Sequence, residues 1–106
     1  MSLALTPAVR DLLQDWLTHL RGVRGRAEAT LTAYSADVGE FLGFQADHLG
    51  GAPGPASLRN LHTRDLRAWM AAQRARDVGA RSLARRLSAV KAFYKWWADR
   101  DGFDAT

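Results

Sequence analysis

Residues 80–98 read Ala80-Arg81-Ser82-Leu83-Ala84-Arg85-Arg86-Leu87-Ser88-Ala89-Val90-Lys91-Ala92-Phe93-Tyr94-Lys95-Trp96-Trp97-Ala98, and this stretch decides the fold. Leu83, Leu87, Val90, Tyr94 and Trp97 recur at spacings of 4, 3, 4 and 3, as one buried seam of an α-helix requires. With Arg81 set at 0° on a helical wheel, the apolar residues fall near roughly 160° to 240°, centred on Val90 and Leu83. The opposite arc holds Lys91, Lys95, Ser88, Arg81, Ala92 and Arg85. Arg86 lies at the margin of the core, where it can reach a flanking phosphate or pair internally. A merely solvated helix face mixes both signs of charge, yet no acidic residue occurs between Ala80 and Ala98. Cations around a low centre at Ser88 and Ala92 suit a helix laid into a DNA groove, with its rim charges on phosphates.

The segments upstream carry the same helical period. Thr63 is placed to cap a third helix, with Asp65 in its first turn, Leu66, Trp69 and Met70 as its stripe, and an end at Asp77 to Gly79. Leu58 and Leu61 fit a preceding turn over the core. Gly50-Gly51-Ala52-Pro53-Gly54-Pro55 cannot continue a helix and reads as an exposed loop. A second helix is expected from Ala27 to His48, with Leu31, Tyr34, Val38, Phe41 and Leu42 on one face. Its other face carries Thr32, Ser35, Ala36, Gly39 and Gly43, small enough for another helix to pack closely. Thr6-Pro7 opens a first helix whose stripe is Val9, Leu12, Leu13, Trp16, Leu17 and Leu20, and Gly22 begins the basic connector that ends at Arg26. No segment alternates with period two, so the fold class is an all-α bundle of four main helices.

The chain has 106 residues, 47% of them hydrophobic and 25% charged, which fits one small domain and leaves little room for a large buried cleft. An enzyme complete in itself is not expected, because no nucleophile and base converge. There is no cysteine, and His19, His48 and His62 are scattered, so no metal or other cofactor is expected. No apolar run reaches the roughly 18 residues of a membrane span, and no secretory leader opens the chain; the expected location is cytoplasmic, with no membrane partner and no small-molecule ligand. The net charge of +4 conceals a division: residues 59–98 hold ten basic residues against Asp65 and Asp77 only, whereas the segments on either side are each net −2. Thirteen of the fifteen basic residues are arginine, whose planar fork suits phosphates and guanine edges. Trp16, Trp69 and Trp97 fall on apolar stripes and read as core; Trp96 lies off the seam. Asp11 and Asp15, one turn apart, read as solvated.

Three stretches together resemble the N-terminal, core-binding domain of tyrosine recombinases of the phage integrase family, nearest to Xer-type and XerC-like members. They are Thr30-Leu31-Thr32-Ala33-Tyr34-Ser35-Ala36-Asp37 followed by Phe41-Leu42, then Thr63-Arg64-Asp65-Leu66-Arg67-Ala68-Trp69, then Arg81 to Tyr94. The resemblance spans residues 8–103. It implies a SAM-like orthogonal bundle of four main helices that grips a duplex DNA recombination half-site through its second and fourth helices. It also implies work beside other recombinase protomers, a paralogous recombinase among the candidates, in a tetrameric synapse serving DNA integration and recombination, chromosome partition and the cell cycle.

Carried over by motif, the DNA contacts are Arg81, Ser82 and Arg85 on the fourth helix and Thr30, Thr32 and Ala33 on the second. The wheel adds Ser88, Lys91 and Lys95, the core margin adds Arg86, and the connector adds Arg26. The sequence departs from the family where relatives are often basic, at Thr32, Ser35 and Ala36, and where a serine usually opens the second helix, at Ala27. Tyr34 and Tyr94 match structural positions and not the recombinase nucleophile. The resemblance thus makes residues 1–103 a DNA-binding domain, inert by itself, and residues 104–106 the start of a linker to an absent C-terminal catalytic domain with strand-breaking and rejoining activity. The alternative from another class is a helical protein-interaction module whose basic face meets an acidic partner.

Overall fold

The computed structural model describes residues 5–22, 25–50 and 54–103. Five helices follow one another: α1 (Pro7–Gly22), α2 (Glu28–His48), α3 (Pro55–Arg59), α4 (Thr63–Ala75) and α5 (Ala80–Asp101), with no strand among the described residues. The four long helices are those expected, and the turn at Leu58 is a single helical turn, α3. Expectations for connector residues 23 and 24, loop residues 51–53 and the linker at 104–106 lie outside the described residues.

Each helix starts for a local reason. The Thr6 hydroxyl accepts the Val9 N–H at 3.3 Å and caps α1, with Pro7 as its first helical residue. Ala27 precedes α2 without a side-chain cap; Glu28 in the first turn instead receives Arg21 Nε at 2.7 Å and Nη2 at 3.2 Å, joining the end of α1 to the start of α2. The expected cap of α4 is corrected by one residue, because His62 is the N-cap and Thr63 is already helical. The Asp65 carboxylate reaches back to the His62 backbone N–H, which donates at 2.8 Å, so this end is closed by the acid and not by a threonine hydroxyl. α5 continues three residues past its expected end, and Gly102, with φ 72°, stops it.

α2 is the spine of the bundle, with α1, α4 and α5 packed on it. Val38, Leu42 and Ala46 of α2 are fully buried, as are Val9 of α1 and Trp69 of α4. The seam expected on α5 is corrected in one respect. Phe93 and Ala89 are buried, whereas Leu87 and Tyr94 are only half-buried. The buried arc is wider than the Leu83-to-Trp97 line because α5 packs on α1 as well as α2. Phe93 meets Trp16 edge-on at 5.4 Å between ring centres and Trp97 at 5.7 Å. Trp16, Trp69 and Trp97 are core residues, each 1% exposed or less. Trp96 is half-buried under Arg100, whose guanidinium carbon lies 4.8 Å from the ring centre. Asp15 is not simply solvated, since it accepts from Arg100 Nη1 at 3.1 Å across the α1–α5 boundary.

The small-residue face of α2 has a different neighbour from the one expected. A Cβ built on Gly39 would meet nothing within 4 Å. Ser35, Ala36, Gly39 and Gly43 instead line an open groove of about 940 Å³ between α1, α2 and α4. Leu13 and Phe44 line it as well.

Candidate nucleic-acid interface

The outward arc of α5 is built as its period requires. Arg81, Ala84, Arg85, Ser88, Lys91, Ala92 and Lys95 are all exposed, and Ser82 is half-buried at the edge. Two small residues, Ser88 and Ala92, run along the middle of the strip, so a ridge or groove can approach the helix backbone while cations flank it. Arg81 and Lys91 make no ion pair among the described residues. Lys95 Nζ lies 3.8 Å from Asp99 in a wholly exposed i, i+4 pair, the kind worth about 0.3–0.5 kcal/mol and easily exchanged for a phosphate.

Arg85 is held differently. Its Nε donates to Asp37 Oδ2 at 3.1 Å and its Nη2 to Asp37 Oδ1 at 2.9 Å, a two-point bond from α5 to α2. The Arg85 side chain is 52% exposed and that of Asp37 only 5%. In space, therefore, the face is not free of acids, a correction to the single-helix wheel: α2 supplies the carboxylate that α5 lacks. Asp37 stands three residues after Tyr34 and four before Phe41, in phase with the apolar stripe of α2. An acid at a stripe position is a signal open to sequence reading, because a buried carboxylate needs a cation.

Arg86 turns inward. Its Nη1 donates to Gln73 Oε1 at 2.5 Å and to Glu40 Oε2 at 3.4 Å, and its Nε sits 3.9 Å from Asp37 Oδ1. Gln73 Nε2 donates in turn to Glu40 Oε1 at 2.7 Å. Of the two readings the sequence left open for Arg86, the structure has internal pairing. Glu40 and Gln73 were not singled out from sequence; Gln73, one turn after Trp69, is 1% exposed.

The positions on and before α2 divide. Thr30 and Thr32 are two residues apart, about 200° around a helix, so they occupy opposite faces. Thr30 is half-buried and, seven residues before Asp37, lies in phase with it on α2; Ala33 is also half-buried. Thr32 is exposed on the other side, and its hydroxyl donates back to the Glu28 carbonyl at 3.1 Å. Arg26 is exposed just before α2, its backbone N–H donating to the Leu20 carbonyl at 3.1 Å. Thr30 thus shares the helical phase of Asp37 on α2, and Thr32 does not.

Other polar contacts lie away from this strip or within the bundle. The Tyr94 hydroxyl donates to the Leu58 carbonyl at 2.8 Å, and burial pushes its phenol well above the ordinary range. Tyr34 stacks on Trp16 at 5.9 Å. His48 Nε2 lies 3.0 Å from Asp65 Oδ1. Among the described residues no group of three or more His, Cys, Asp or Glu could hold a metal ion, and no helix is long and apolar enough to cross a membrane.

Residues 13–101 match the family described as the phage integrase N-terminal SAM-like domain. The chain is 38% identical over 102 residues to the tyrosine recombinase XerC of Rhodospirillum centenum, covering 96% of this chain and 30% of that protein. It is 42% identical over 96 residues to XerC of Methylobacterium nodulans, covering 91% of this chain and 29% of the relative. XerC of Mesorhizobium japonicum is 37% identical over 95 residues, covering 87% of this chain and 30% of the relative. The chain thus spans about 30% of the length of these curated relatives. No solved structure matches it.

Proposed function

The chain belongs to the phage integrase N-terminal SAM-like domain family, and from that premise we propose that it is the DNA-binding, core-binding domain of a site-specific tyrosine recombinase. One observation carries the reading: the exposed strip of α5 places Arg81, Arg85, Lys91 and Lys95 around a low centre at Ser88 and Ala92. A helix of 22 residues with such a strip fits the major groove, its unpaired cations on phosphates and its centre close to base edges. Thr30 and Ser82 extend the contact along the α2–α5 boundary. Arg86 supports the strip from inside, while Thr32 and Arg26 contact flanking backbone.

In this reading the chain supplies affinity and half-site register, and a C-terminal domain supplies the tyrosine nucleophile and its arginines. The whole protein recombines duplex sites in the cytoplasm, working in chromosome dimer resolution with other protomers, a paralogous recombinase included, in a tetrameric synapse. The XerC names of the relatives support this assignment.

The second reading, a helical interaction module with an acidic protein partner, is favoured only by the positive charge itself. A fluorescence-anisotropy titration separates the two. The chain is titrated against a labelled duplex of about 25 base pairs, with unlabelled duplex or heparin as competitor. Displacement by duplex at much lower phosphate concentration than by heparin sulfate is expected. Equal displacement by both polyanions contradicts groove binding and favours the module.

A further inference from the structure

Within the DNA-binding reading, on which this inference rests, the geometry points to Asp37 as a positioning residue that makes Arg85 a reader of a guanine edge, leaving phosphate attraction to Arg81 and Lys91. Asp37 grips the guanidinium along one side only, through Nε and Nη2. Nη1 and the second N–H of Nη2 have no protein partner among the described residues, and together they form the end of a planar fork. Two parallel donors at that spacing match the O6 and N7 acceptors of guanine in the major groove.

The burial contrast sets the direction: the carboxylate is 5% exposed and its arginine 52%. The acid is fixed within α2 and the free edge of the fork faces outward. Arg86 Nε, 3.9 Å away on the inner side, gives the carboxylate a second cation, so Asp37 is not released when Arg85 engages a base. A fork held in this way has already lost much of the side-chain freedom that binding would otherwise cost it.

Pairing also alters what Arg85 contributes to affinity. The carboxylate cancels most of the arginine's field at the distance of a phosphate, so the pair releases few counter-ions, while its directional donors remain. Arg81 and Lys91, unpaired among the described residues, keep their full charge. One helix face then holds two kinds of cation: unpaired ones that set salt-dependent affinity, and a buttressed one that sets sequence preference.

The test selects binders for the complete chain from a library of duplexes with about 20 randomised base pairs, and compares four proteins. The unaltered chain recovers a guanine at one fixed position. Arg85→Lys keeps the cation facing Asp37 but has no fork, and its preference for that guanine falls about 10- to 100-fold. Asp37→Asn frees the fork; the preference falls in the same sense, and log K becomes steeper in log salt by up to about 0.9 as the Arg85 charge is uncovered. Arg81→Ala keeps the preference, while affinity for every sequence falls and the slope becomes shallower by about 0.9. Circular dichroism melts monitor folding, and if Asp37→Asn does not fold, Arg85→Lys alone decides. Retention of the guanine preference by Arg85→Lys overturns the inference, as does duplex binding by the unaltered chain without any base preference; either result leaves the DNA-binding reading standing. Absence of duplex binding by the unaltered chain at low salt overturns that reading and the inference with it.

Discussion

The Tyr94 hydroxyl and the Leu58 carbonyl are joined by a 2.8 Å hydrogen bond that ties the middle of α5 to the single turn of α3. Five residues are too few for a helix to persist unaided. α3 holds its place because Leu58 is 1% exposed and because this bond satisfies its carbonyl. The same burial pushes the phenol above the ordinary tyrosine range.

Tyr94→Phe should therefore cost about 1 kcal/mol, the net worth of one hydrogen bond whose acceptor is left unpaired. A fall of roughly 4–8 °C in Tm follows for a domain of this size. In a Tyr34→Phe background, absorbance at 295 nm should show Tyr94 ionising above the ordinary tyrosine range. The folded pKa is raised, so stability is intact below about pH 10 and declines at higher pH, where the unfolded chain loses its proton first. Ionisation in the ordinary range would contradict the burial argument.

Gly39→Ala should stabilise the chain by about 0.5–1 kcal/mol. Glycine in a helix interior costs about that much relative to alanine, and the added methyl meets nothing within 4 Å. Thermal denaturation reads the gain; a lower Tm would mean that the groove beside α2 closes on that position.

Asp65 sets an acid limit. The His62 backbone N–H, and secondarily His48, hold its carboxyl below the usual carboxylate range against the opposing effect of burial. A lowered folded pKa gives stability that is present above the unfolded value of about 3.9 and lost as pH falls through the folded one. Urea unfolding at a series of pH values from about 5 down to about 2.5 should show the loss, and Asp65→Asn should show a shallower one. Parallel declines in the two proteins would remove Asp65 from this role.

Arg86→Ala should destabilise by about 1–3 kcal/mol, because half-buried Glu40 and buried Gln73 lose a partner. Its duplex binding should keep the salt slope of the unaltered chain. An unchanged Tm with a slope shallower by about 0.9 would place Arg86 on a phosphate instead.

Most of the architecture was legible in the sequence because it rests on period and punctuation. The stripe of α1, the spacing Leu83, Leu87, Val90 and the breakers Pro7 and Gly79 fix four helices within a residue or two at most ends. α5 runs on to Asp101 because nothing before Gly102 forbids helix, and a fading apolar stripe does not stop one. The strip of cations was legible for the same reason, since Arg81, Arg85, Ser88 and Lys91 share one helical face. What a wheel cannot show is a second helix. The pairing of Arg85 with Asp37 and the inward turn of Arg86 to Glu40 and Gln73 depend on how α2 and α5 cross. The burial of Phe93 depends on α1 in the same way. Asp37 offered a clue by standing in an apolar phase, whereas Gly39 misled, because small residues suit an open groove as readily as a tight crossing.

The salt dependence of duplex binding reports which face of the bundle meets DNA. Log K against log salt is measured for the unaltered chain, for Arg81→Ala with Lys91→Ala on the α5 strip, and for Arg10→Ala with Arg76→Ala beside the groove between α1, α2 and α4. Both variants remove two positive charges. With DNA on α5, the slope is expected to be shallower by about 1.8 for the strip variant, from two phosphate contacts at about 0.9 each, and unchanged for the groove variant. Equal slopes for the strip variant and the unaltered chain, or a groove variant as shallow as the strip variant, would contradict the placement of DNA on α5.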